Sequence, residues 1–126
     1  KMLGFVPLPA DQRAKSTQAL NTAGFTPPAS FDARDHRDDQ SACRAYDILD
    51  QGQCGSCYAF AAASSFSARM CKATDARFNI VMSPQELMDC NNGCGGGDPL
   101  AVFNTLAVTD SVERFCDPYT EVKSTC

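Results

Sequence analysis

Eight cysteines among 126 residues constrain this chain more than any other feature. Thiols at that density serve as metal ligands, as redox groups or as the staples of an oxidised fold. Zinc sites usually present paired C-x2-C units, or one such unit with histidines. Here Cys54 and Cys57 make one C-x2-C, Cys90 and Cys94 form a looser pair, and His36 is the single histidine. A four-cysteine zinc site stays open on spacing alone. A disulfide frame in an oxidising compartment accounts for the count more simply.

The length suits one domain with a modest core. Apolar residues make up 44% and the net charge is −4 with the basic residues scattered, so nothing forms the basic face that nucleic acid requires. No apolar run approaches the roughly 20 residues that span a bilayer. The chain starts at Lys1 without Met and without a signal-peptide core, so its start is expected to be a boundary of processing or of the segment itself. There is no Asn-x-Ser/Thr acceptor, internal repeat or low-complexity tract.

Residues 1–28 hold four of the seven prolines, and their middle, Asp11 to Thr22, is polar. They read as an extended leader outside the core. Asp32 to Asp39 is charge-dense and reads as a solvated loop. From Cys57 to Cys71 the pattern becomes helical, with Ala59, Ala62, Ala63, Phe66 and Met70 on one face. Alanine, abundant there, is the best helix former. Asn79 to Met82 is a candidate short strand. Ser83, Pro84 and Glu86 stand as N-cap, first helical residue and third residue of a capping box. That helix must stop near Asn91-Asn92-Gly93, where glycines follow. Pro99 opens a third helix through Leu106.

The chemistry concentrates in Gln51-Gly52-Gln53-Cys54-Gly55-Ser56-Cys57-Tyr58-Ala59-Phe60. Cys57 falls at the start of a helix, where unpaired N–H groups and partial positive charge stabilise a thiolate. Gly55 and Ser56 are small enough for a substrate backbone to approach. The Cys57 N–H and the Gln51 side-chain amide are candidate donors to a developing oxyanion. The set suits acyl transfer through a thioester. The competing interpretation is a redox C-x-x-C, or a pair of buried thiols.

Cys54-Gly55-Ser56-Cys57-Tyr58 fits the C-G-[SA]-C-[WY] signature and resembles the papain and cathepsin cysteine proteases. Four further stretches resemble the same family in order, its cathepsin B type most of all. Pro28-Ala29-Ser30-Phe31-Asp32-Ala33-Arg34 is similar to the mature N-terminus of cathepsin B-like enzymes. Ser83-Pro84-Gln85-Glu86-Leu87-Met88-Asp89-Cys90 resembles the S-x-Q-x-L-x-x-C helix, and Gly93-Cys94-Gly95-Gly96-Gly97-Asp98-Pro99 the G-C-N-G-G-x-P loop. Cys116-Asp117-Pro118-Tyr119 resembles the later C-x-P-Y element. Tyr58 stands where Trp is usual, and Gly95 where Asn is usual.

The resemblance implies an α+β papain-like fold, of which this chain supplies the mainly helical left lobe, with its central helix starting at the nucleophile. It implies a leader at residues 1–27, the tail of a propeptide, and a lobe at 28–126. Cys57 takes the role of nucleophile and Gln51 that of oxyanion-hole donor. Gly55, Ser56, Gly96 and Gly97 take substrate-binding roles, the last two by pairing with the substrate backbone. Asp98 is either a selector for a basic P2 side chain or a turn residue before Pro99. Disulfides are implied for Cys43 with Cys71, Cys54 with Cys94 and, as in papain, Cys90 with Cys126. In cathepsin B the equivalent of Cys90 pairs further downstream. Cys116 is left to pair beyond residue 126. No cofactor or metal is implied.

The family's catalytic His and Asn lie about 130–150 residues after the nucleophile. They would belong to a β-barrel right lobe beyond this chain, while His36 lies upstream in the charged loop. The implied partners are peptide or protein substrates and that C-terminal lobe, with no nucleic acid and no membrane span. The implied location is lysosomal, vacuolar or secreted. The leader would run through the cleft in the direction opposite to a substrate, with Met2-Leu3-Gly4-Phe5 near Cys57, or else be a mere linker. The functional classes are a cysteine-type peptidase, present as a zymogen or partial chain, and a protease-derived structural or binding subunit without activity.

Overall fold

The computed structural model describes residues 4–15, 21–32 and 43–126. His36, Met2, Leu3, Ala33 and Arg34 lie outside the described residues, as does most of the charged loop. Among the described residues four α-helices follow in order: α1 at Ala10–Lys15, α2 at Cys57–Ala73, α3 at Pro84–Asp89 and α4 at Pro99–Leu106. Two 3-10 turns, Arg44–Tyr46 and Gly93–Gly95, connect them. No helix among the described residues is long and apolar enough to cross a membrane.

The central helix α2 begins at Cys57, and its alanine face turns inward. Ala59, Ala62 and Ala63 are fully buried, and Phe66 packs against the same cluster. Side chains this small let neighbouring elements come close to the α2 backbone. Leu87 and Met88 of α3, Val102, Phe103 and Leu106 of α4, and Ile80 and Met82 fill the space. Truncating Leu87 to Ala would cost about 2–5 kcal/mol, the usual range for a buried leucine.

The leader departs from the expected extended form. Pro9 offers its carbonyl to the N–H groups of Gln12 and Arg13, and Asp11 sits in the first turn of α1. An acidic residue there complements the helix dipole. The candidate strand at residues 79–82 contracts to one antiparallel bridge, Met82 with Glu113. Around it Ser83 N–H donates to Val112 and Arg114 N–H to Val81, both at 2.9 Å.

The capping box of α3 is half formed. Ser83 Oγ accepts from Glu86 N–H at 3.1 Å. The Glu86 carboxylate reaches across the chain to Ser111 Oγ and Val112 N–H, each at 2.7 Å, because Ser83 N–H is already engaged by Val112. Helix α4 has a cap that the motif did not announce: Asp98 Oδ1 accepts from Leu100 N–H at 2.9 Å.

Three disulfides staple these parts. Cys43–Cys71 fastens the first 3-10 turn to the last turn of α2. Cys54–Cys94 fastens the segment before α2 to the glycine loop, and Cys90–Cys126 the tail to the end of α3. With sequence separations of 28, 40 and 36 residues, each loop closure stabilises the fold by about 3.5–4 kcal/mol in the chain-entropy account. Cys57 and Cys116 are free thiols, the first half-buried and the second exposed.

Candidate active site

The site is built where α2, the segment before it and the glycine loop meet. Ser56 is the N-cap of α2 and Cys57 its first residue, so the thiol sits at the positive end of a 17-residue helix. The Cys54–Cys94 bridge, with Cα atoms 4.8 Å apart, clamps this entry against the glycine loop. The clamp is close enough that a Cβ on Gly55 would lie 2.5 Å from the Cys94 carbonyl oxygen. Glycine is the residue that fits there.

Tyr58, in place of tryptophan, lies beneath the glycine loop. Its buried hydroxyl donates to the Gly93 carbonyl at 2.9 Å, and its ring would stand 2.8 Å from a Cβ on Gly97. Burial pushes the Tyr58 phenol up from its ordinary value, so it remains a donor through neutral pH. Gly96 has φ +86°, a conformation that favours glycine. Asn92 Nδ2 donates to the Gly96 carbonyl at 2.8 Å. A Cβ on Gly95 would come within 2.9 Å of that nitrogen, so the glycine that replaces the family's Asn makes room for Asn92.

Residues 4–8, in the stretch expected to be a leader, cross this loop and join it through one parallel bridge. Phe5 bridges Gly97, Val6 N–H donates to Gly97 at 2.9 Å, and Gly97 N–H donates to Gly4 at 2.6 Å. Leu8 N–H donates to Asp98 Oδ2 at 2.9 Å. Gly4 is buried over the thiol; a Cβ there would sit 2.9 Å from Cys57 Sγ and closer still to the Gly55 carbonyl oxygen. Gly97 thus spends both of its backbone groups on leader residues.

The remaining candidates are placed unevenly. The side chain of Ser56 does not face the cleft: the residue is fully buried and its hydroxyl meets the Tyr119 hydroxyl at 2.6 Å. Gln51 Nε2 donates to the Cys54 carbonyl at 2.9 Å, and the Gln51 carbonyl accepts from Tyr119 OH at 2.9 Å. Asp98 is 7% exposed and splits its two carboxylate oxygens between the α4 cap and the leader. A carboxylate so engaged acts first as a turn and cap residue.

Several contributors were not named from the motifs. Tyr119 closes the C-x-P-Y stretch; its ring packs edge-on to Phe60 with centroids 4.7 Å apart and its hydroxyl joins Gln51 to Ser56. Gln85 of α3, 2% exposed, holds the tail. Its Oε1 accepts from Thr120 N–H at 2.9 Å and its Nε2 donates to the Asp89 carboxylate and to the Val122 carbonyl. Glu121 Oε2 accepts from Gln53 N–H at 2.9 Å, tying that tail to the segment before Cys57. Apart from the pair Gln85 and Asp89, the contacts join residues 35 to 68 apart in sequence, a separation that no local pattern reports.

The profile of the papain family cysteine proteases matches residues 27–126. Cathepsin B-like cysteine proteinase 6 of Caenorhabditis elegans is 39% identical over 80 residues, covering 60% of this chain and 21% of that protein. Cathepsin B-like cysteine proteinase 4 of the same organism is 38% identical over 85 residues, covering 64% of this chain and 25% of that protein. The chain therefore spans about a quarter or less of the length of these relatives.

Two solved proenzymes share the fold. The proform of the ragweed pollen cysteine protease Amb a 11 aligns with a TM-score of 0.58 at 32% identity, over 64% of this chain and 26% of that one. Digestive procathepsin L 3 of Tenebrio molitor aligns with a TM-score of 0.59 at 27% identity, over 64% and 27%. Both are papain-like, and α2, α3 and α4 are helices of the left lobe. The three disulfides and the cathepsin-type relatives fit an oxidising, secretory or lysosomal route. By the extent and position of these matches, the chain belongs to the papain family of cysteine proteases.

Proposed function

We propose that this chain is the N-terminal lobe of a cysteine-type peptidase that cleaves peptide bonds through a thioester at Cys57, held here in a blocked, zymogen-like form. The observation that carries this is the leader strand on Gly97, with Gly4 packed over Cys57 Sγ. A cleft edge that binds the backbone of residues 4–6 can bind the backbone of a peptide. The leader pairs in parallel, so a substrate running the opposite way would pair antiparallel on the same glycine. With its polarity reversed, the leader fills the cleft without presenting its backbone in the direction of a substrate.

In the proposed reaction an imidazole takes the Cys57 proton and the thiolate attacks the substrate carbonyl carbon. The oxyanion rests on Cys57 N–H and Gln51 Nε2. The C–N bond breaks as the imidazolium returns its proton to the leaving amine, and water then hydrolyses the thioester with the same imidazole as base. The imidazole and the Asn that orients it come, by resemblance, from a C-terminal lobe outside residues 1–126. Gly55, Gly96 and Gly97 bind substrate backbone. Asp98, whose Oδ2 holds the Leu8 N–H of the leader, favours a basic P2 side chain once the leader has left. Residues 1–27 are the leader and 28–126 the lobe. Cys116 pairs with a cysteine outside this chain, and the mature protein works in a lysosomal or secreted setting.

One observation favours a second reading, an inactive structural or binding subunit. Gln51 Nε2 is turned onto the Cys54 carbonyl, so at least one of its two hydrogens is directed away from an oxyanion. Hydrolysis of peptide amides by the full-length protein, freed of its leader, separates the two. Turnover abolished by Cys57→Ala supports the peptidase; turnover absent, or untouched by that change, supports the subunit.

A further inference from the structure

We propose that Tyr119 is a positioning residue that keeps the Ser56 hydroxyl off the start of α2, so that the helix-end donors remain directed at the chemistry of Cys57. The inference rests on Cys57 being the nucleophile. A serine at an N-cap normally turns its oxygen onto the N–H two or three residues ahead. Ser56 occupies the N-cap of α2 and makes no side-chain cap bond, whereas Ser83 at the N-cap of α3 and Asp98 at that of α4 both do. Two features accompany the difference: Ser56 has φ −99° and ψ 11°, away from the extended backbone of Ser83 and Asp98, and Tyr119, 63 residues away, holds its hydroxyl in that arrangement at 2.6 Å.

The direction of these bonds follows from the groups. A phenol has one hydrogen, and the Gln51 carbonyl, 2.9 Å from it, can only accept. The Tyr119 hydrogen therefore goes to Gln51, and the Ser56 hydroxyl donates to the phenol oxygen. Burial raises the Tyr119 phenol above its ordinary value, which keeps that hydrogen in place at neutral pH. One side chain thus fixes the backbone of the proposed oxyanion donor and the residue before the proposed nucleophile. Its own position is set from both sides, by Gln85 on Thr120 N–H and by the ring of Phe60.

Without the phenol oxygen, Ser56 is free to move to the extended backbone of a capping serine and turn its hydroxyl onto its own helix. It would then draw the Tyr58 N–H inward, the Ala59 N–H being already engaged by the Ser56 carbonyl, and set an oxygen lone pair beside the thiol, opposing negative charge on sulfur and on the oxyanion. Tyr119→Phe removes that oxygen while the ring keeps its place on Phe60. Adding Ser56→Ala removes the competing cap.

The test uses the full-length protein freed of its leader, with thermal unfolding to check each variant. Two readouts are taken: kcat and KM on a peptide amide, and the rate of Cys57 alkylation by iodoacetamide. Tyr119→Phe is expected to lower kcat roughly tenfold, the equivalent of losing one neutral hydrogen bond in the transition state, with KM within about twofold. Alkylation should slow in parallel, and the double variant should recover to within about threefold of the parent. An unchanged Tyr119→Phe would overturn the proposal, as would a loss that Ser56→Ala does not relieve, since that is what simple loss of packing produces. If the parent protein turns nothing over, the peptidase reading falls by itself, and the alkylation rates alone decide the role of Tyr119.

Discussion

Placing a methyl group on Gly4 tests the blocked state at one atom. A Cβ there would stand 2.9 Å from Cys57 Sγ and closer to the Gly55 carbonyl oxygen, a backbone atom that cannot swing aside. The leader must lift locally, which breaks the Gly97 N–H bond to Gly4 and the Val6 N–H bond to Gly97. At about 1 kcal/mol net for each bond, the loss is about 2 kcal/mol, which multiplies the fraction of open cleft roughly 30-fold. The assay is the rate at which a peptidyl electrophile labels Cys57 in the intact, leader-bearing protein. Gly4→Ala should be labelled about 30 times faster than the parent. Labelling of Gly4→Ala at the parental rate would refute the argument that this glycine seals the thiol.

Asp98→Ala removes the α4 cap and should lower stability by about 1 kcal/mol in urea unfolding. The same change should abolish any preference for Arg over Leu at P2 in paired substrates; retained preference would remove Asp98 from specificity. Converting Cys54 and Cys94 together to Ser should cost about 4 kcal/mol from loop closure across their 40-residue separation, read as a lower urea midpoint. Asp117 carries a pH prediction. Burial, and then the charge of Asp89, hold its carboxyl above the ordinary carboxylate value. A group raised in the folded state contributes stability below its unfolded value and loses it as pH rises through its folded value. Asp117→Asn should therefore gain stability over the parent at neutral pH and lose that advantage in acid, as compared by urea unfolding at both.

The helices were legible because their signals are local. The alanine-rich stretch after Cys57 has helical spacing, and Ser83-Pro84 and Pro99 carry start signals that work within four residues. The leader helix was missed because its short polar stretch lacks an apolar stripe to set the period. At the site, the positions of the glycines were legible, since only glycine permits the approach of Gly55 to Cys94 and the positive φ of Gly96. The inward turn of Ser56 was not. Its direction depends on Tyr119, and nothing within ten residues of Ser56 announces that partner. The same holds for Asp98, whose composition permits both a charge selector and a cap; folding adds Leu100 N–H and Leu8 N–H, which take up its oxygens.

The central claim is that Cys57 is a working nucleophile covered by its own leader. The most direct measurement is labelling of the full-length protein with a substrate-like peptidyl electrophile at mildly acidic pH, before and after removal of the leader, followed by peptide mapping. The account predicts weak labelling before removal and rapid, selective labelling of Cys57 afterwards. A Cys57 that stays inert once the leader is gone, or is labelled equally fast before its removal, would contradict it.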